Sequence, residues 1–209
     1  MLLLTTTGLK TLQDHWDHPE HGRLLTPRHQ HEAWATARAG IPWAVDNDGF
    51  GGVDPVAFQR MIFRLAGCPG CLFVNAPDVY LGDGVEAHAA TLESWREWYP
   101  FLRMTGFPLS FVLQIGATVE NVPWDELDAV FIGGDTDWKL GPEARECVRE
   151  AKRRGLHVHM GRVNSKKRIA YAKAIGCDSV DGTGWAKYRD AMMPKGLAAL
   201  DQQVLETGV

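Results

Sequence analysis

The 209-residue sequence has few cysteines and no long apolar run. Four cysteines are too few for a disulfide framework in a chain of this length. No stretch reaches the roughly 18 to 20 consecutive apolar residues that a membrane-spanning helix needs. The N-terminal Met-Leu-Leu-Leu-Thr run lacks the basic start of a secretion signal. We therefore expect no membrane association and a cytoplasmic location, which is the host cytoplasm if the protein is viral.

Metal-binding patterns are also scarce. Cys68 and Cys71 have CxxC spacing, which is found in redox pairs and in half-sites for zinc. Because no second CxxC or CxH pair accompanies them, we interpret this segment as a turn between a helix and a strand. The spacing His15-x-x-His18-x-x-His21 is open to metal binding, but it lacks apolar framing, and we expect a solvated loop. The sequence thus predicts no metal and no cofactor.

The chain does contain short apolar, β-rich runs that alternate with longer amphipathic ones, a rhythm typical of repeated βα units. Six strands are predicted, at residues 41–46, 71–77, 109–114, 129–133, 156–160 and 178–181, with a candidate seventh at residues 2–6. Helical apolar spacing covers residues 55–65, 86–104, 142–154 and 165–175. Near-continuous apolar strands favour a parallel sheet.

The ends of these strands favour a barrel over an open sheet. Nearly every strand ends in a polar or glycine cluster, and in a (β/α) barrel all such ends meet at the face where active sites are built. No Gly-x-Gly-x-x-Gly follows the first strand and no Walker A sequence occurs, so the nucleotide-binding open sheets lack support. We predict one α/β domain over residues 1–209, a compact TIM-like (β/α) barrel. Because only six or seven strands are predicted, we expect this barrel to be irregular or incomplete.

The strand ends carry three carboxylates, one amide and a glycine pair, namely Asp46, Asp78, Asp181, Gln114, Gly133 and Gly134. Two carboxylates can divide the work at an anomeric carbon, one as nucleophile and the other as general acid or base. An Asp beside a Gln can accept from the N–H groups of a flat heterocycle and donate to its carbonyl. Glycines allow close approach of backbone N–H groups to the ring. These residues indicate a guanine pocket beside a pair that cleaves a glycosidic bond.

The order of these residues resembles the tRNA-guanine transglycosylase superfamily. The segment VDNDGF, residues 45–50, is similar to the TDSGGF-like strand end of that family, which implies that Asp46 is the general acid or base. The segment GCDSVD, residues 176–181, is similar to the GVDxFD segment that holds the nucleophile, which implies that role for Asp181.

The resemblance extends to the segments with which the family binds the base. FVNAPD, FVLQIG and FIGGDT match them in order, and HVHMGR looks like the family's YLMGVG stretch. The resemblance therefore implies base-binding roles for Asp78, Gln114, Gly133, Gly134 and Met160.

Two departures from the pattern of the family restrict the range of expected substrates. The tRNA-type enzymes carry a zinc site of Cys and His after the nucleophile, whereas no Cys or His follows Asp181. The segment GGDTDWK, residues 133–139, replaces a GGLAVGE-like segment, so the acidic group that would meet an aminomethyl substituent has no counterpart. The chain is in this respect similar to small zinc-less phage-type (DpdA-like) DNA transglycosylases. The resemblance implies an enzyme that exchanges guanine in DNA for a free 7-deazaguanine such as 7-cyano-7-deazaguanine.

The charge distribution bears on this partner. The formal net charge of -4 argues against non-specific nucleic-acid binding, but residues 151–196 hold eleven Lys or Arg and three Asp. Such a segment forms either solvated helix faces or a surface that faces phosphates. The predicted phosphate contacts at the barrel mouth are Arg162, Lys166, Lys167 and Arg168.

Other interpretations stay open at this point. The same pocket would serve exchange in tRNA or RNA, simple base release, or a non-catalytic barrel that binds a nucleobase. The eight Trp keep an unrelated barrel glycosidase open. Trp138 and Trp185 are candidates for base stacking or for packing, and His159 is a candidate for the barrel mouth. Asp48 and Asp178 are interpreted as turn or cap residues. No oligomeric state follows from these residues.

Overall fold

The computed structural model describes residues 1–6, 18–29, 40–49, 52–81 and 84–201. Eight parallel strands in these residues form a closed barrel in chain order, in which β1 pairs with both β2 and β8. The strands are β1 Leu2–Thr5, β2 His21–Leu25, β3 Trp43–Val45, β4 Cys71–Asn75, β5 Leu109–Leu113, β6 Ala129–Ile132, β7 His157–Met160 and β8 Ser179–Asp181. The TIM-like barrel is confirmed, and the expectation of an incomplete barrel is wrong. One irregularity exists, a register shift of β3 against β4 between Trp43 and Ala44.

Seven helices are present in the described residues: α1 Pro55–Leu65, α2 Glu86–Met104, α3 Thr136–Leu140, α4 Pro142–Arg153, α5 Lys166–Ile175, α6 Thr183–Lys187 and α7 Arg189–Asp201. Short 3₁₀ turns cover Pro27–His29 and Trp124–Glu126. The sequence predicts α1, α2, α4 and α5 to within one residue at each end. It misses α7, which contains Pro194, a residue that usually breaks a helix interior. None of the described helices combines the length and the apolar character needed to cross a membrane.

Strand β2 is the strand that the sequence analysis did not predict. All five of its residues are buried, including His21 and Arg23, whose residue types are seldom fully buried. The His21 ring nitrogen Nε2 lies 2.9 Å from Thr5 Oγ1 on β1. The expected solvated loop around His18 and His21 is therefore wrong from His21 onward, and His15 lies outside the described residues.

The segment from Cys68 to Cys71 joins α1 to β4, which confirms the predicted turn between a helix and a strand. Both thiols are free, and burial raises the pKa of Cys71 above its usual range. Trp43 fixes the turn to the barrel, because its Nε1 donates to Pro69 O at 2.7 Å. This contact makes the segment a structural one.

Two apolar clusters follow from the alternation of side chains along each strand. The larger cluster lies between the barrel and the helices and contains Trp43, Phe58 and Trp95. The smaller one fills the barrel interior and contains Leu4, Leu24, Ala44, Phe73 and Ala129. Because inward positions recur every second residue, the strands present their next inward residues at the barrel mouth.

The N-terminus of α1 gives a test of the fold. Asp54 caps this helix, since its Oδ1 accepts from the backbone N–H groups of Val56 and Ala57 at 3.0 Å each. We predict that Asp54→Ala lowers the free energy of unfolding by about 1 kcal/mol, measured by urea denaturation. Asp125→Ala is the control, because the Asp125 side chain is 95% exposed and its ion pair with Arg154 contributes about 0 to 1 kcal/mol. An unchanged stability of Asp54→Ala would contradict the capping role.

Candidate active site

The barrel mouth holds a cavity of about 120 Å³. Six residues of the predicted site line it: Asp46, Asp78, Gln114, Gly133, Arg162 and Asp181. Asp48, Gly49, Tyr80, Val112 and Phe131 complete the lining. A cavity needs roughly 10 to 15 Å³ to hold one water molecule, so this one has room for several.

The period of two along the strands explains why these residues meet. Asp46 lies two residues after the inward Ala44, Gly133 two after the inward Phe131, and Asp181 two after Ser179. Strands of a parallel barrel end at the same face, so these inward positions converge there. Val112 and Phe131, one inward step deeper, form the floor of the cavity.

Asp46 is the carboxyl group most affected by its surroundings. Burial, followed by the charges of Asp78, Asp181 and Asp48, raises the pKa of Asp46 to about 7, against a smaller lowering effect of the Asn75 amide. Burial and the three neighbouring charges disfavour the ionised form of Asp46. A carboxyl group with a pKa of about 7 is half protonated at neutral pH, which suits a general acid or base.

Asp78 and Gln114 form a pair on one wall of the cavity. Gln114 Nε2 donates to Asp78 Oδ2 at 2.5 Å. Burial raises the pKa of Asp78, and hydrogen bonds from Asn47 and Gln114 oppose this rise. The amide is held with its nitrogen toward the carboxyl group, so the Gln114 oxygen is the acceptor left on that side chain. The pair offers several acceptor atoms to the edge of a flat base.

Asp181 is held from the opposite side of the barrel. Its Oδ1 accepts from the backbone N–H of Arg162 at 3.1 Å, and His159 Nε2 lies at 3.1 Å from the same oxygen. His159 is fully buried, whereas Asp181 is 6% exposed. The carboxylate is thus anchored through one oxygen at the edge of the cavity.

Close packing at the cavity wall requires glycine at two positions. A Cβ on Gly133 would lie 2.5 Å from Val112 Cγ1, and a Cβ on Gly161 would lie 2.6 Å from the Phe131 ring. The N–H groups of Gly133 and Gly134 both donate to Leu113 O, at 2.9 and 3.1 Å. This part of the wall therefore gives close approach to a ligand, but its backbone N–H groups already have an acceptor.

The predicted phosphate-contacting residues divide into two groups. Arg162 and Arg168 hold the loops of the mouth together: Arg162 Nη2 donates to Gly133 O at 3.0 Å and to Gly134 O at 2.5 Å, and Arg168 Nη1 donates to Arg162 O at 3.4 Å. Lys166 and Lys167 are exposed in the first turn of α5 and form no ion pair or hydrogen bond with other described residues. These two lysines extend from the mouth into solvent.

Several candidates from the sequence lie away from the cavity. Met160 is buried on the outer side of β7, out of phase with the inward His157 and His159, and Gly134 packs on the Trp138 ring. Trp185 is buried and donates to Val163 O at 2.5 Å, so it belongs to the packing. Asp178 lies at the other end of β8 and pairs with Lys152 at 2.7 Å, in line with its interpretation as a structural residue.

Three further residues lie at or near the cavity, a position that the sequence did not predict for them. Asp48 is strained at φ 64° and pairs with Arg28 at 2.5 Å, as a turn residue does, yet it also lines the cavity. Tyr80 lies in the loop after Asp78, and the Arg162 guanidinium stacks over its ring at 5.9 Å. Buried Lys139 donates to Gly161 O at 2.7 Å, and burial followed by the charge of Arg162 lowers its pKa to about 7. For Lys139 the sequence did offer a signal, because this residue lies in the GGDTDWK segment that departs from the family pattern.

Among the described residues, no group of three or more His, Cys, Asp or Glu side chains is arranged to hold a metal ion. Scans of the sequence against protein-family models and against curated proteins find no match. The resemblance to the transglycosylases therefore stays a prediction from the motifs.

The raised pKa of Asp46 predicts a dependence of stability on pH. The folded protein keeps a proton on Asp46 up to about pH 7, whereas an unfolded chain releases it near pH 3.8. The stability that this proton contributes is fully present below about pH 4 and is lost as the pH rises to about 7. We therefore predict that the free energy of unfolding of Asp46→Asn, relative to that of the wild type, increases across this window and is constant above it.

The measurement is urea denaturation of both proteins at a series of pH values. Asp125→Asn, which changes an exposed carboxylate, should run parallel to the wild type above about pH 5. A constant difference between Asp46→Asn and the wild type from about pH 4 to about pH 8 would show that Asp46 titrates as an ordinary carboxyl group.

Proposed function

We propose that this protein is a DNA-guanine transglycosylase, which exchanges guanine in DNA for a 7-deazaguanine base through a covalent intermediate on Asp181. The observation that carries the proposal is the contrast between two carboxyl groups of one cavity. Asp46 has its pKa raised to about 7, and Asp181 accepts N–H donors through Oδ1. Two carboxyl groups in such different surroundings can take different roles, one as a general acid and the other as a nucleophile. The Asp78–Gln114 pair beside them supports recognition of a base.

The first half-reaction opens the glycosidic bond. A guanine turned out of the stack enters the cavity at the barrel mouth. Asp181 Oδ2 attacks C1′ as the bond from C1′ to the base breaks, and Asp46 gives its proton to the departing base. Guanine leaves as a neutral molecule, the sugar is esterified to Asp181, and Asp46 is left ionised.

The second half-reaction reverses these steps with another base. The incoming 7-deazaguanine shares the 2-amino-6-oxo edge of guanine, so the same Asp78 and Gln114 acceptors fit it. Its ring nitrogen attacks C1′ and displaces Asp181, while Asp46 takes the proton from that nitrogen. The enzyme returns to its starting state, which is the condition for turnover.

The features of the mouth support a polynucleotide substrate. Lys166 and Lys167 extend into solvent at the start of α5, and the loop of Arg162 lies between them and the cavity. Such lysines suit contacts to phosphates, which position a strand without reading its sequence. Exchange in RNA is the alternative that the assay below distinguishes.

We predict that the purified protein incorporates a 7-deazaguanine into guanine-containing DNA, detected by mass analysis of the released nucleosides. 7-Cyano-7-deazaguanine is the first candidate, and RNA of the same sequence is a parallel substrate. Asp181→Asn should reduce exchange by a factor on the order of 10³ or more, because it removes the nucleophile. Asp46→Asn should also reduce exchange strongly, because it removes the titratable proton.

Asp125→Asn is the matched control for both substitutions, since it neutralises an exposed carboxylate outside the cavity, and it should retain wild-type exchange. Survival of exchange in Asp181→Asn would refute the assigned nucleophile. Absence of a new nucleoside with every deazaguanine tested, in DNA and in RNA, would refute the exchange reaction. Tight binding of the free base without exchange would instead identify a non-catalytic base-binding barrel.

Base recognition gives a separate prediction. Asp78→Asn should lower kcat/KM for the incoming base by about 10- to 100-fold, because a hydrogen bond to a charged group contributes roughly 1.5 to 3 kcal/mol. The effect should lie mainly in KM, since Asp78 contacts the base rather than C1′. The measurement is initial exchange rate against base concentration. A KM equal to that of the wild type would exclude Asp78 from the base contact.

A further inference from the structure

A chain of polar side chains continues from Asp181 into the barrel interior. His159 Nε2 lies 3.1 Å from Asp181 Oδ1, and His159 Nδ1 lies 2.8 Å from Ser179 Oγ. The same hydroxyl lies 2.8 Å from His157 Nε2. His159 and Ser179 are both fully buried. The four side chains come from β7 and β8 alone, at the inward positions of these two strands.

When His159 is neutral, the chemistry of the four groups gives this chain one direction. An ionised carboxylate only accepts, so His159 Nε2 must be its donor. In a neutral imidazole Nδ1 is then the acceptor, and it takes the hydroxyl proton of Ser179. Ser179 Oγ in turn accepts from His157 Nε2. Burial is the main cause that lowers the pKa of His157, so the chain ends in a neutral imidazole.

Packing holds the His159 ring in this orientation. Its centroid lies 4.6 Å from that of Phe131 and 5.3 Å from that of Phe73. Phe131 also forms the cavity floor, and the absence of a Cβ on Gly161 lets that ring approach the strand. The imidazole is therefore fixed by rings on two sides and by Ser179 at its far nitrogen.

The two carboxylate oxygens of Asp181 differ in their contacts. Oδ1 is occupied by His159 Nε2 and by the backbone N–H of Arg162. Oδ2 makes no hydrogen bond with the described residues, and Asp181 lines the cavity. With one oxygen held by two contacts, rotation of the carboxylate is restricted and the other oxygen is left for bond formation. Such restriction accounts for large rate effects when a reacting atom must be aligned.

We propose that His159 is a positioning residue, which aims Asp181 Oδ2 at C1′ of the substrate and is itself fixed in one tautomer by the Ser179–His157 pair. This inference deepens the proposed function and rests on it, since it takes Asp181 as the nucleophile. His159 touches Asp181 and not the substrate. Its removal should therefore slow formation of the covalent intermediate and leave base binding unchanged.

Kinetics of the substitutions separate positioning from packing. His159→Leu, which keeps a buried apolar volume but has no N–H, should lower the single-turnover rate of adduct formation by about 10- to 100-fold. KM for the incoming base should stay within about twofold, because Asp78 and Gln114 are intact. His159→Gln, which can again place an N–H near Asp181, should recover most of the rate. Ser179→Ala should give a smaller loss.

His88→Leu is the matched control, because His88 is buried on α2 and its Nε2 lies 3.4 Å from Asn121 O, outside the chain of contacts. It should keep the wild-type rate. Circular dichroism and thermal unfolding establish that each variant is folded. A folded His159→Leu with a wild-type rate would overturn the proposal, as would equal losses in the Leu and Gln variants.

A second measurement does not need activity. The ¹⁵N shifts of the imidazoles report which ring nitrogen carries the proton, and we predict protonation of Nε2 in both His157 and His159. Asp181→Asn should shift the His159 Nε2 signal, and Asp125→Asn should not. Protonation of His159 on Nδ1 alone would overturn the proposal. If the predicted tautomers are found in a protein without exchange activity, the chain of contacts stands and the proposed function fails.

Discussion

Four carboxyl groups, Asp46, Asp48, Asp78 and Asp181, share one small cavity at the mouth of the barrel. Their burial, and after it the repulsion between them, is the constraint on which the rest of the site depends, because the four charges cannot be accommodated equally. The structure resolves it by assigning different surroundings to each group. Asp48 pairs with Arg28, Asp78 with the Gln114 amide, and Asp181 accepts N–H donors through one oxygen, whereas the pKa of Asp46 is raised to about 7.

The barrel supplies these different surroundings through strand order. Asp181 meets the buried histidines because they come from the neighbouring strand β7, and Asp78 meets Gln114 because β4 and β5 are neighbours. The loops are held in turn by the cations of the mouth, since Arg162 and Lys139 donate to backbone carbonyls around Gly133 and Gly161. Arg162, which the sequence suggests for nucleic-acid contact, thus also fixes the wall of the cavity, and the exposed Lys166 and Lys167 are left for the strand contact that we propose.

Much of this arrangement could be predicted from the sequence, and the exceptions have physical causes. Asp46 and Asp181 directly follow or end short apolar strands, and parallel strands must end together, so their meeting was foreseeable. Met160 was misplaced because motif similarity ignored the period of two, which puts His159 and Gly161 inward and Met160 outward. Strand β2 was missed because it contains His21 and Arg23, which are buried although His and Arg are seldom fully buried. Tyr80 lies in a loop, where no periodicity shows which side chain turns inward.

In the proposed reaction, Asp181 forms a covalent bond to a sugar of the polynucleotide. Its most direct test is to incubate the wild-type protein with guanine-containing DNA in the absence of any incoming base, digest the denatured product, and map the modified peptide by mass spectrometry. We expect a deoxyribosyl adduct on the peptide that contains Asp181, with release of free guanine. An adduct on Asp46, or guanine release without any adduct, would contradict it.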